Sequence, residues 1–510
     1  MIVIFGLNIT LITFVIIPLF FSFFLILLEK LFSSSRLKKN FIHIIALIGA
    51  LFDLLLAFLF CSEILKTGKE FFIDTSFLVL KTDITSLFFI LIFTTIHFTV
   101  SIYCVNFMDQ FDDLAIFYAL LFALVTGLNL IVMASDFFTL FVAYEGMALC
   151  AYSMVGFYRN LESSEAGFKY LMMSSTGSLL LLFGLALLYG VVGSLNFAYL
   201  STANLDNNLM LSLAIILMVL GFGITASMFF LNTWLPDAHP AAPPPASVIL
   251  SGIVVIAGTY GLLRTFTLLI IPLNINSELS WSNLFILIGI FTSLQGNLFV
   301  LIQFKRTDSQ ARNLKRILAF STISHMGYLL TGIGTANIMG ISGVLLHALN
   351  HAIAKGIMFM IAGYLIFSGG SHCLDHYKGL GRQDPVIGTC LVIGLFSLAS
   401  IPLTGGFWSK LQLILGLFEN GYPFGIFAGV SMLGLTFFAA IGYLWIIKYI
   451  VMDHSDMDLE YIHNFKKMNL RRGGFMKLAI IILTLIVVIL GLLPGPFINL
   501  TLQAAHYLFG

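Results

Sequence analysis

The sequence predicts an all-α polytopic membrane protein, and three observations carry this prediction. Hydrophobic residues make up 59% of the 510 residues, charged residues make up only 10%, and the mean hydropathy is +1.03. Soluble globular domains average about 45–50% apolar and about 25% charged residues. The apolar residues here gather in runs long enough to cross a membrane, and the basic residues gather in alternate loops between those runs.

Net charge and cysteine spacing exclude several other classes of protein. A net charge of +1 gives no electrostatic basis for binding nucleic acid. The five cysteines form no Cys-x-x-Cys pair, which argues against iron–sulfur, zinc-ribbon and dithiol-redox sites. We therefore expect no cofactor on this chain and no nucleic-acid partner, and we expect lipid around it.

Fourteen apolar runs each supply the roughly 20 residues that a helix needs to cross about 30 Å of hydrocarbon. They cover residues 2–28, 41–61, 85–106, 114–133, 137–157, 167–191, 210–234, 244–271, 281–303, 316–335, 338–367, 386–418, 422–447 and 477–499. The first run is longer than a signal-peptide core and precedes no small-residue cleavage site, so we expect it to be retained. None of the runs alternates as membrane β-strands do.

The basic residues give this segmentation an orientation. With an outer N-terminus, the inner loops hold eighteen Lys and Arg residues, while the outer loops hold only Lys66, Lys69 and Lys81. Loops rich in Lys and Arg usually lie on the cytoplasmic side of the membrane, so this bias predicts which loops face the cytoplasm. We therefore expect a multi-pass protein of the cell membrane with both termini on the outer side. The longest loop, 449–476, is polar and mixed in charge, which is typical of a connector.

A few charged residues fall inside the apolar runs. The basic ones are Lys169, Arg264, Lys355 and Lys410, and the acidic ones are Asp53 and Glu145. A charge at the centre of a membrane helix costs about 2.5–3.5 kcal/mol on insertion scales. Retaining several such charges is typical of an ion or proton pathway. Snorkelling or simple pairing between helices is the alternative, and it is strongest for Arg264 and Asp53.

Histidines extend this set of titratable residues. His347, His351 and Lys355 recur at a spacing of four, which stacks them on one face of a helix about 6 Å apart. Imidazole titrates near neutral pH, so the stack favours a proton relay. A zinc site at the two histidines is the alternative, although no third ligand lies nearby in the sequence. His325 fits either a relay or an ordinary buried histidine.

Two segments break the helical pattern. One runs from Trp234 to Pro240 and continues to Ser247, and the other runs from Ile401 to Lys410. Proline cannot continue a helix, and unwound backbone in a membrane needs protein or water to satisfy it. An ordinary loop at the first segment and a plain kink at the second are the alternatives. Matched interruptions in two halves are typical of transporters built from inverted repeats.

We therefore predict two inverted five-helix repeats, helices 4–8 and 9–13, in which helices 7 and 12 are broken. The predicted divisions are residues 1–113 for helices 1–3, 114–272 for the first repeat, 273–450 for the second repeat, and 451–510 for a connector and helix 14.

Several motifs together resemble one protein family. They run from Asp136 to Glu145, Glu165 to Lys169, Trp234 to Pro240, Ser251 to Arg264, Leu314 to His325, His347 to Lys355, and Pro402 to Lys410. The chain resembles the antiporter-like membrane subunits of respiratory complex I, of membrane-bound NiFe hydrogenases and formate hydrogenlyase, and of Mrp-type Na+/H+ antiporters. The resemblance covers roughly residues 100–450.

The resemblance implies a fold of fourteen helices and a polar axis in the middle of the membrane. It implies a proton pathway through Glu145, Lys169, His325, His347, His351, Lys355 and Lys410. Thr225, His239 and Arg264 are secondary candidates. The family usually has lysines at the positions of Thr225 on helix 7 and Ile256 on helix 8. Because both are absent, we expect either Lys169 to replace them as the partner of Glu145, or conduction through a half-path, or a structural role.

Three functions remain open at this point. The first is a proton-translocating subunit of a complex I-like, redox-driven complex of the NADH dehydrogenase or hydrogenase type. The second is a subunit of an Mrp-type antiporter, in which Na+ could bind Glu145 and the Thr225 hydroxyl. The third is a scaffold that no longer conducts. In the first case flavin, iron–sulfur or NiFe centres lie on partner subunits, because this chain contains no Gly-x-Gly-x-x-Gly motif and no cysteine cluster. Because each end follows soon after a predicted span, we expect no long lateral helix.

Overall fold

The structure is a computed structural model that describes residues 2–4, 7–9, 11–31, 36–67, 70–74, 79–203, 205, 208–273, 280–306, 312–419, 423–453 and 473–509. Most of the predicted connector at 449–476 lies outside these residues. The same holds for Lys69 and for the predicted inner basic residues Lys466, Lys467, Arg471 and Arg472.

The described chain is a bundle of helices. They are α1 (Thr13–Leu31), α2 (Arg36–Thr67), α3 (Ile84–Phe107), α4 (Leu114–Met133), α5 (Phe137–Val155), α6 (Leu161–Val192), α7 (Phe197–Leu200), α8 (Leu209–Thr225), α9 (Leu235–Ala241), α10 (Pro244–Ile249), α11 (Val255–Thr265), α12 (Trp281–Lys305), α13 (Leu314–Ile333), α14 (Ile338–Gly369), α15 (Leu380–Gln383), α16 (Pro385–Leu398), α17 (Gly405–Glu419), α18 (Pro423–Ile447), α19 (Gly474–Leu492) and α20 (Pro494–Phe509). Turns of π-helix cover Leu250–Val254, Phe266–Ile270 and Lys448–Met452. Among the described residues, eleven helical segments are long and apolar enough to cross a membrane. The predicted all-α class is confirmed.

The two ends of the chain differ from the prediction. The apolar run at 2–28 is not one helix, because two short antiparallel strands, β1 (Ile2–Ile4) and β2 (Leu7–Ile9), precede α1. β-Branched residues in this stretch favour extended backbone. The run at 477–499 is also divided, since α19 ends at Leu492 and Pro494 begins α20. A second hairpin, β3 (Phe71–Asp74) and β4 (Val79–Thr82), joins α2 to α3.

The first break lies earlier than the sequence indicates. Helix α8 ends at Thr225, and Ser227 and Phe230 adopt left-handed backbone with φ of 54° and 64°. The chain becomes helical again at Leu235, so the segment from Trp234 to Pro240, predicted as the break, is mostly the helix α9. Proline is tolerated in the first turn of a helix, where its missing N–H has no partner to lose. Pro236 therefore begins a helix and does not interrupt one.

The second break is where it was predicted and repeats the geometry of the first. Helix α16 ends at Leu398, Ser400 and Leu403 are left-handed with φ of 60° and 72°, and α17 begins at Gly405. The backbone hydrogen bonds also match. The first break has a bond from Met228 N to Gly223 O of 2.9 Å, and the second has one from Ile401 N to Phe396 O of 3.0 Å.

Other junctions recur in the same way 177 residues apart. Helices α6 and α14 both have 32 residues, and each begins after an asparagine cap, Asn160 or Asn337. Each ends at a left-handed glycine, with φ of 79° at Gly193 and 68° at Gly370, a conformation that glycine adopts without steric cost. Two isolated β-bridges, Asp136 with Asn196 and Asn313 with Cys373, tie the start of α5 and of α13 to the segment that follows each long helix.

Close helix contacts fix the position of α13, which carries His325. Gly296 on α12 lies so near that a β-carbon there would stand 2.4 Å from Ser324 N, and one on Gly327 would stand 2.4 Å from Ser293 N. Small residues let membrane helices approach in this way. Ser293 Oγ also donates a hydrogen bond of 2.8 Å to Ser324 O. The backbone of α13 is therefore held firmly beside α12.

Candidate functional site

Three histidines meet between α13 and α14. His325 Nδ1 and His347 Nε2 lie 3.0 Å apart, and their rings stack with centroids 5.1 Å apart. The ring of His351 lies 5.2 Å from that of His325. All three side chains are completely buried. Because each neutral imidazole carries one proton on two nitrogens, such a pair can pass a proton by exchanging tautomers.

Hydroxyl groups extend this histidine cluster in three directions. His325 Nε2 lies 3.0 Å from Tyr443 Oη on α18, and His347 Nδ1 lies 3.0 Å from Ser409 Oγ on α17. His351 Nε2 donates to Ser251 O at 3.1 Å, and Ser251 Oγ lies 2.7 Å from the hydroxyl oxygen of Thr322. The cluster is therefore linked to α13, α17, α18 and the segment that follows α10.

The two buried lysines lie on either side of this cluster. Lys355 Nζ donates to Leu318 O at 3.0 Å and to Ser321 Oγ. Lys410 Nζ donates to Leu398 O at 3.4 Å and lies 4.2 Å from the centre of the Tyr328 ring. Leu398 is the last residue of α16, and helix C-termini carry partial negative charge that favours a cation. The second break thus supplies the oxygen that holds Lys410.

Glu145 has hydroxyl neighbours in place of a lysine. Its side chain is half-buried on α5, and Ser178 Oγ on α6 donates to Glu145 Oε1. The Thr225 hydroxyl at the first break accepts a hydrogen bond from Tyr144 Oη and not from the carboxyl group. Ile256 is fully buried and apolar. No basic side chain pairs with Glu145 among the residues described in the structure.

Lys169 lies elsewhere and does not pair with Glu145, which was one of the three alternatives left open by the sequence. Its exposed ammonium contacts Glu165 Oε1 at 2.8 Å and Asp237 Oδ2 at 3.5 Å. Arg316 Nη2 completes this group at 3.4 Å from Asp237 Oδ1, beside a cavity of about 190 Å³. Lys169 stands nine residues before Ser178 on α6, or about 13 Å along the helix, which puts it near the surface.

Lys315 is one of the eighteen basic residues that the sequence places in inner loops, and the structure places it inside the bundle. It lies in the first turn of α13 and is buried, and its Nζ donates to Pro240 O at 3.2 Å and to Ala242 O. The asparagine cap at Asn313 was a signal that the helix begins before this lysine. His239 on α9 is also buried, and it stacks on Phe359 with ring centroids 4.7 Å apart. Lys315 thus ties α9 to α13.

Arg264 takes part in a separate ion pair. Its Nη2 lies 3.2 Å from Asp83 Oδ2, and its Nε donates to Tyr260 Oη at 2.9 Å. A cavity of about 790 Å³ lies beside it, lined also by Lys81 and Glu70. The structure thus gives Arg264 an acidic partner, and its role as a secondary pathway candidate stays a prediction. Five of the seven predicted pathway residues meet within α13, α14 and α17, while Glu145 and Lys169 lie apart from them and from each other.

The chain is similar to a known family and to several of its members. A family model described as "NADH:quinone oxidoreductase/Mrp antiporter, TM" matches residues 134–436. NADH-quinone oxidoreductase subunit N of Heliobacterium modesticaldum is 31% identical over 394 residues, which cover 77% of this chain and 78% of that protein. The F(420)H(2) dehydrogenase subunit N of Methanosarcina mazei is 26% identical over 502 residues, 95% of this chain and 96% of that protein.

Solved structures agree in fold. A chain of the membrane-bound sulfane sulfur reductase, an archaeal respiratory membrane complex, superposes with a TM-score of 0.86 at 27% identity, covering 98% of this chain and 97% of that one. A chain of the Mrp complex from Dietzia gives a TM-score of 0.82 at 20% identity, with 98% and 97% covered, so it shows the fold alone. The chain is a multi-pass integral membrane protein that belongs to the NADH:quinone oxidoreductase/Mrp antiporter transmembrane family.

Proposed function

We propose that the chain is a proton-translocating, antiporter-like subunit of a complex I-like, redox-driven membrane complex. The observation that carries this proposal is the buried contact between His325 and His347, placed between two buried lysines. A buried lysine in a membrane protein is costly unless it serves transport or pairing, and neither Lys355 nor Lys410 has a carboxylate partner among the described residues.

The proposed transfer steps follow from these contacts. A proton that arrives at His325 Nε2 from Tyr443 leaves from Nδ1 to His347 Nε2, and His347 Nδ1 passes its own proton to Ser409. Each imidazole changes its tautomer once in this transfer. We propose that water and the two lysines continue the proton path on both sides of the histidines. When Lys410 or Lys355 is protonated, its positive charge repels a second proton in the histidine cluster, so protonation of either lysine sets the direction of transfer.

We further propose fourteen membrane crossings with two inverted five-helix repeats, helices 4–8 and 9–13, on the division 1–113, 114–272, 273–450 and 451–510. The matched breaks and the equal lengths of α6 and α14 support this arrangement. We place both termini on the outer side of the cell membrane, because the basic loops favour that orientation.

The partners in this proposal are other membrane subunits, including further antiporter-like subunits, and lipid. Flavin, iron–sulfur or NiFe centres belong to those partners. The names of the relatives support a redox-linked complex, since they describe subunits of NADH-quinone oxidoreductase and of F(420)H(2) dehydrogenase. A subunit of an Mrp-type antiporter is the second candidate function, and the fold shared with the Dietzia chain supports it.

The test is ion translocation by the parent complex in sealed vesicles, with redox turnover assayed in parallel. Lys410→Ala should lower the number of protons moved per electron about tenfold or more while redox turnover continues. Lys30→Ala, an exposed lysine at the end of α1, serves as the matched control and should change nothing. Unchanged translocation in an assembled Lys410→Ala complex would show that this subunit is a scaffold. Translocation driven by an ion gradient without electron transfer would favour the Mrp-type function.

A further inference from the structure

A second buried pair of titratable groups lies outside the matched region 134–436. Asp53 on α2 and His97 on α3 are both completely buried, and His97 Nδ1 stands 3.6 Å from Asp53 Oδ2. The ring of Phe122 on α4 meets the imidazole edge-on, with ring centroids 4.5 Å apart. The pair is therefore enclosed by three helices that the pathway in residues 134–436 does not use.

This pair has few other polar neighbours. Neither carboxylate oxygen of Asp53 and neither ring nitrogen of His97 has a hydrogen-bond partner in the described part of the chain. Toward the start of α3, the buried hydroxyl of Thr94 donates to Ile90 O at 2.8 Å within the same helix. An isolated buried charge is very costly, so each of the two groups can ionise only with the other beside it.

A file of polar groups leads from this pair to one surface. Ser101 lies one helical turn beyond His97 on α3, and its buried hydroxyl has no hydrogen-bond partner among the described residues. Tyr118 Oη donates to Ser101 O at 3.4 Å and lies 2.9 Å from His43 Nδ1. The other ring nitrogen of His43 stands 4.0 Å from the carboxylate of Asp109.

The file therefore ends at an accessible group. The Asp109 side chain is 54% exposed, and Lys39 Nζ donates to its backbone oxygen at 3.0 Å. His43 precedes Asp53 by ten residues on α2, so the file spans about 15 Å of helix. Several titratable and charged groups face this file. They are His43 and Asp53 from α2, His97 and Cys104 from α3, Tyr118 from α4, and Asp109, Asp112 and Lys39 at the surface.

We propose that Asp53 and His97 form a proton-binding site that exchanges protons with the Asp109 surface through Ser101, Tyr118 and His43. The site is a half-channel, closed beyond Thr94, and it stores one proton next to the first repeat. The Tyr118 hydroxyl takes a proton from His43 and releases its own to a water molecule, which we place beside the unpartnered Ser101 hydroxyl, and that water protonates His97. Only O–H and N–H bonds break and form in these steps. The proposal does not depend on conduction by His325 and His347.

Infrared difference spectroscopy of the purified parent complex tests this site directly. Spectra are recorded in H2O and D2O over a pH series, and the spectrum of Asp53→Asn is subtracted from that of the wild type. We expect one carboxyl signal that changes with pH and shifts in D2O. His97→Gln should move its midpoint in pH, because the partner that shares the proton is gone.

The rate of exchange into D2O tests the file itself. Tyr118→Phe should slow the exchange of the Asp53 signal about tenfold or more. Ser22→Ala is the matched control, because Ser22 is a buried hydroxyl that bonds α4 at Ala119 O and lies outside the file, and it should leave the rate unchanged. A carboxyl signal that ignores pH, or an equal exchange rate in Tyr118→Phe and Ser22→Ala, would overturn the proposal. A signal that responds to Na+ and not to pH would show a cation site instead.

Discussion

The two halves of the molecule place different groups at matching positions. Glu145 and Thr322 each stand nine residues after the cap of their helix, Asp136 and Asn313. On the long helices, Ser178 stands eighteen residues after Asn160, and Lys355 stands eighteen residues after Asn337. The first half therefore sets the carboxyl group of Glu145 against the Ser178 hydroxyl. The second half sets the amine of Lys355 against the hydroxyl of Ser321, the residue before Thr322.

This difference suggests how the work is divided between the halves. An acid–amine pair would need a carboxyl group on the first helix of a half and an amine on its long helix. The first half has only the acid, Glu145, and the second half has only the amine, Lys355. A hydroxyl residue stands at the remaining position in each half. Only the second half adds imidazoles in direct contact, which gives it a continuous set of groups that exchange protons. In the first half, Glu145 is the ionisable group at the matching position, and Ser178 donates to it. We therefore expect the halves to respond very differently to mutation.

The largest effect is expected from Lys355→Met. This variant removes the amine and keeps the volume, so proton translocation in sealed vesicles should fall about tenfold or more. His325 and His347 would then lose the buried charge beside them. Assembly, measured by the amount of purified complex, should be retained because Met suits an apolar interior. Translocation at the wild-type level would show that the second half does not depend on its buried amine, against the comparison of the two halves.

The second break offers a structural test of the comparison. A β-carbon on Gly406 would stand 1.8 Å from Ser397 O, so Gly406→Ala should push α17 away from α16. We expect a loss of about 1–3 kcal/mol, seen as less complex and a lower Tm. Gly434→Ala is the matched control, since nothing lies within 4 Å of a β-carbon there. Equal yields from both variants would mean that α17 can shift freely.

A smaller effect is expected from Glu145→Gln. The amide keeps a hydrogen bond from Ser178 and leaves no lysine unpaired, so translocation should fall only about two- to threefold. The assay is the same vesicle measurement made beside Lys355→Met. A loss as large as that of Lys355→Met would show that the first half conducts as fully as the second, against the comparison drawn here.

The smallest effect is expected from Lys169→Ala. Its ion pairs with Glu165 and Asp237 are exposed, and such pairs contribute about 0–1 kcal/mol. Translocation and the thermal stability of the complex should both stay within experimental error of the wild type. A strong loss of translocation would show that Lys169 reaches Glu145 during turnover, which would restore the role that the family resemblance gives it.

Much of this architecture could be predicted from the sequence, because hydrophobic runs and helical spacing are local properties. The stack of His347, His351 and Lys355 and the break near Pro402 follow from such spacing. The position of the first break does not, because Ser227 and Phe230 are not glycines and give no signal of left-handed backbone. The partner of a side chain is not local either, since it depends on which helix lies opposite.

The same limit explains the errors about two lysines. Lys315 follows basic residues near a helix end, and this context is typical of a loop. In the structure it is buried, and its ammonium donates to the carbonyl groups of Pro240 and Ala242. Lys169 lies within an apolar run and so looks buried, although Glu165 and Asp237 keep it at the surface. Composition near a residue therefore predicts the membrane span but not the depth of each charge.

The length of α6 has a consequence for the membrane itself. Its 32 residues extend about 48 Å, while the hydrocarbon core is about 30 Å thick. The surplus lies in its polar first turns, so Glu165 and Lys169 reach the headgroup layer and can meet lipid phosphates and water. Because these turns are already polar, α6 can tilt to match a thicker or thinner bilayer without moving apolar residues into water. The start of α6 is thus tolerant of changes in bilayer thickness.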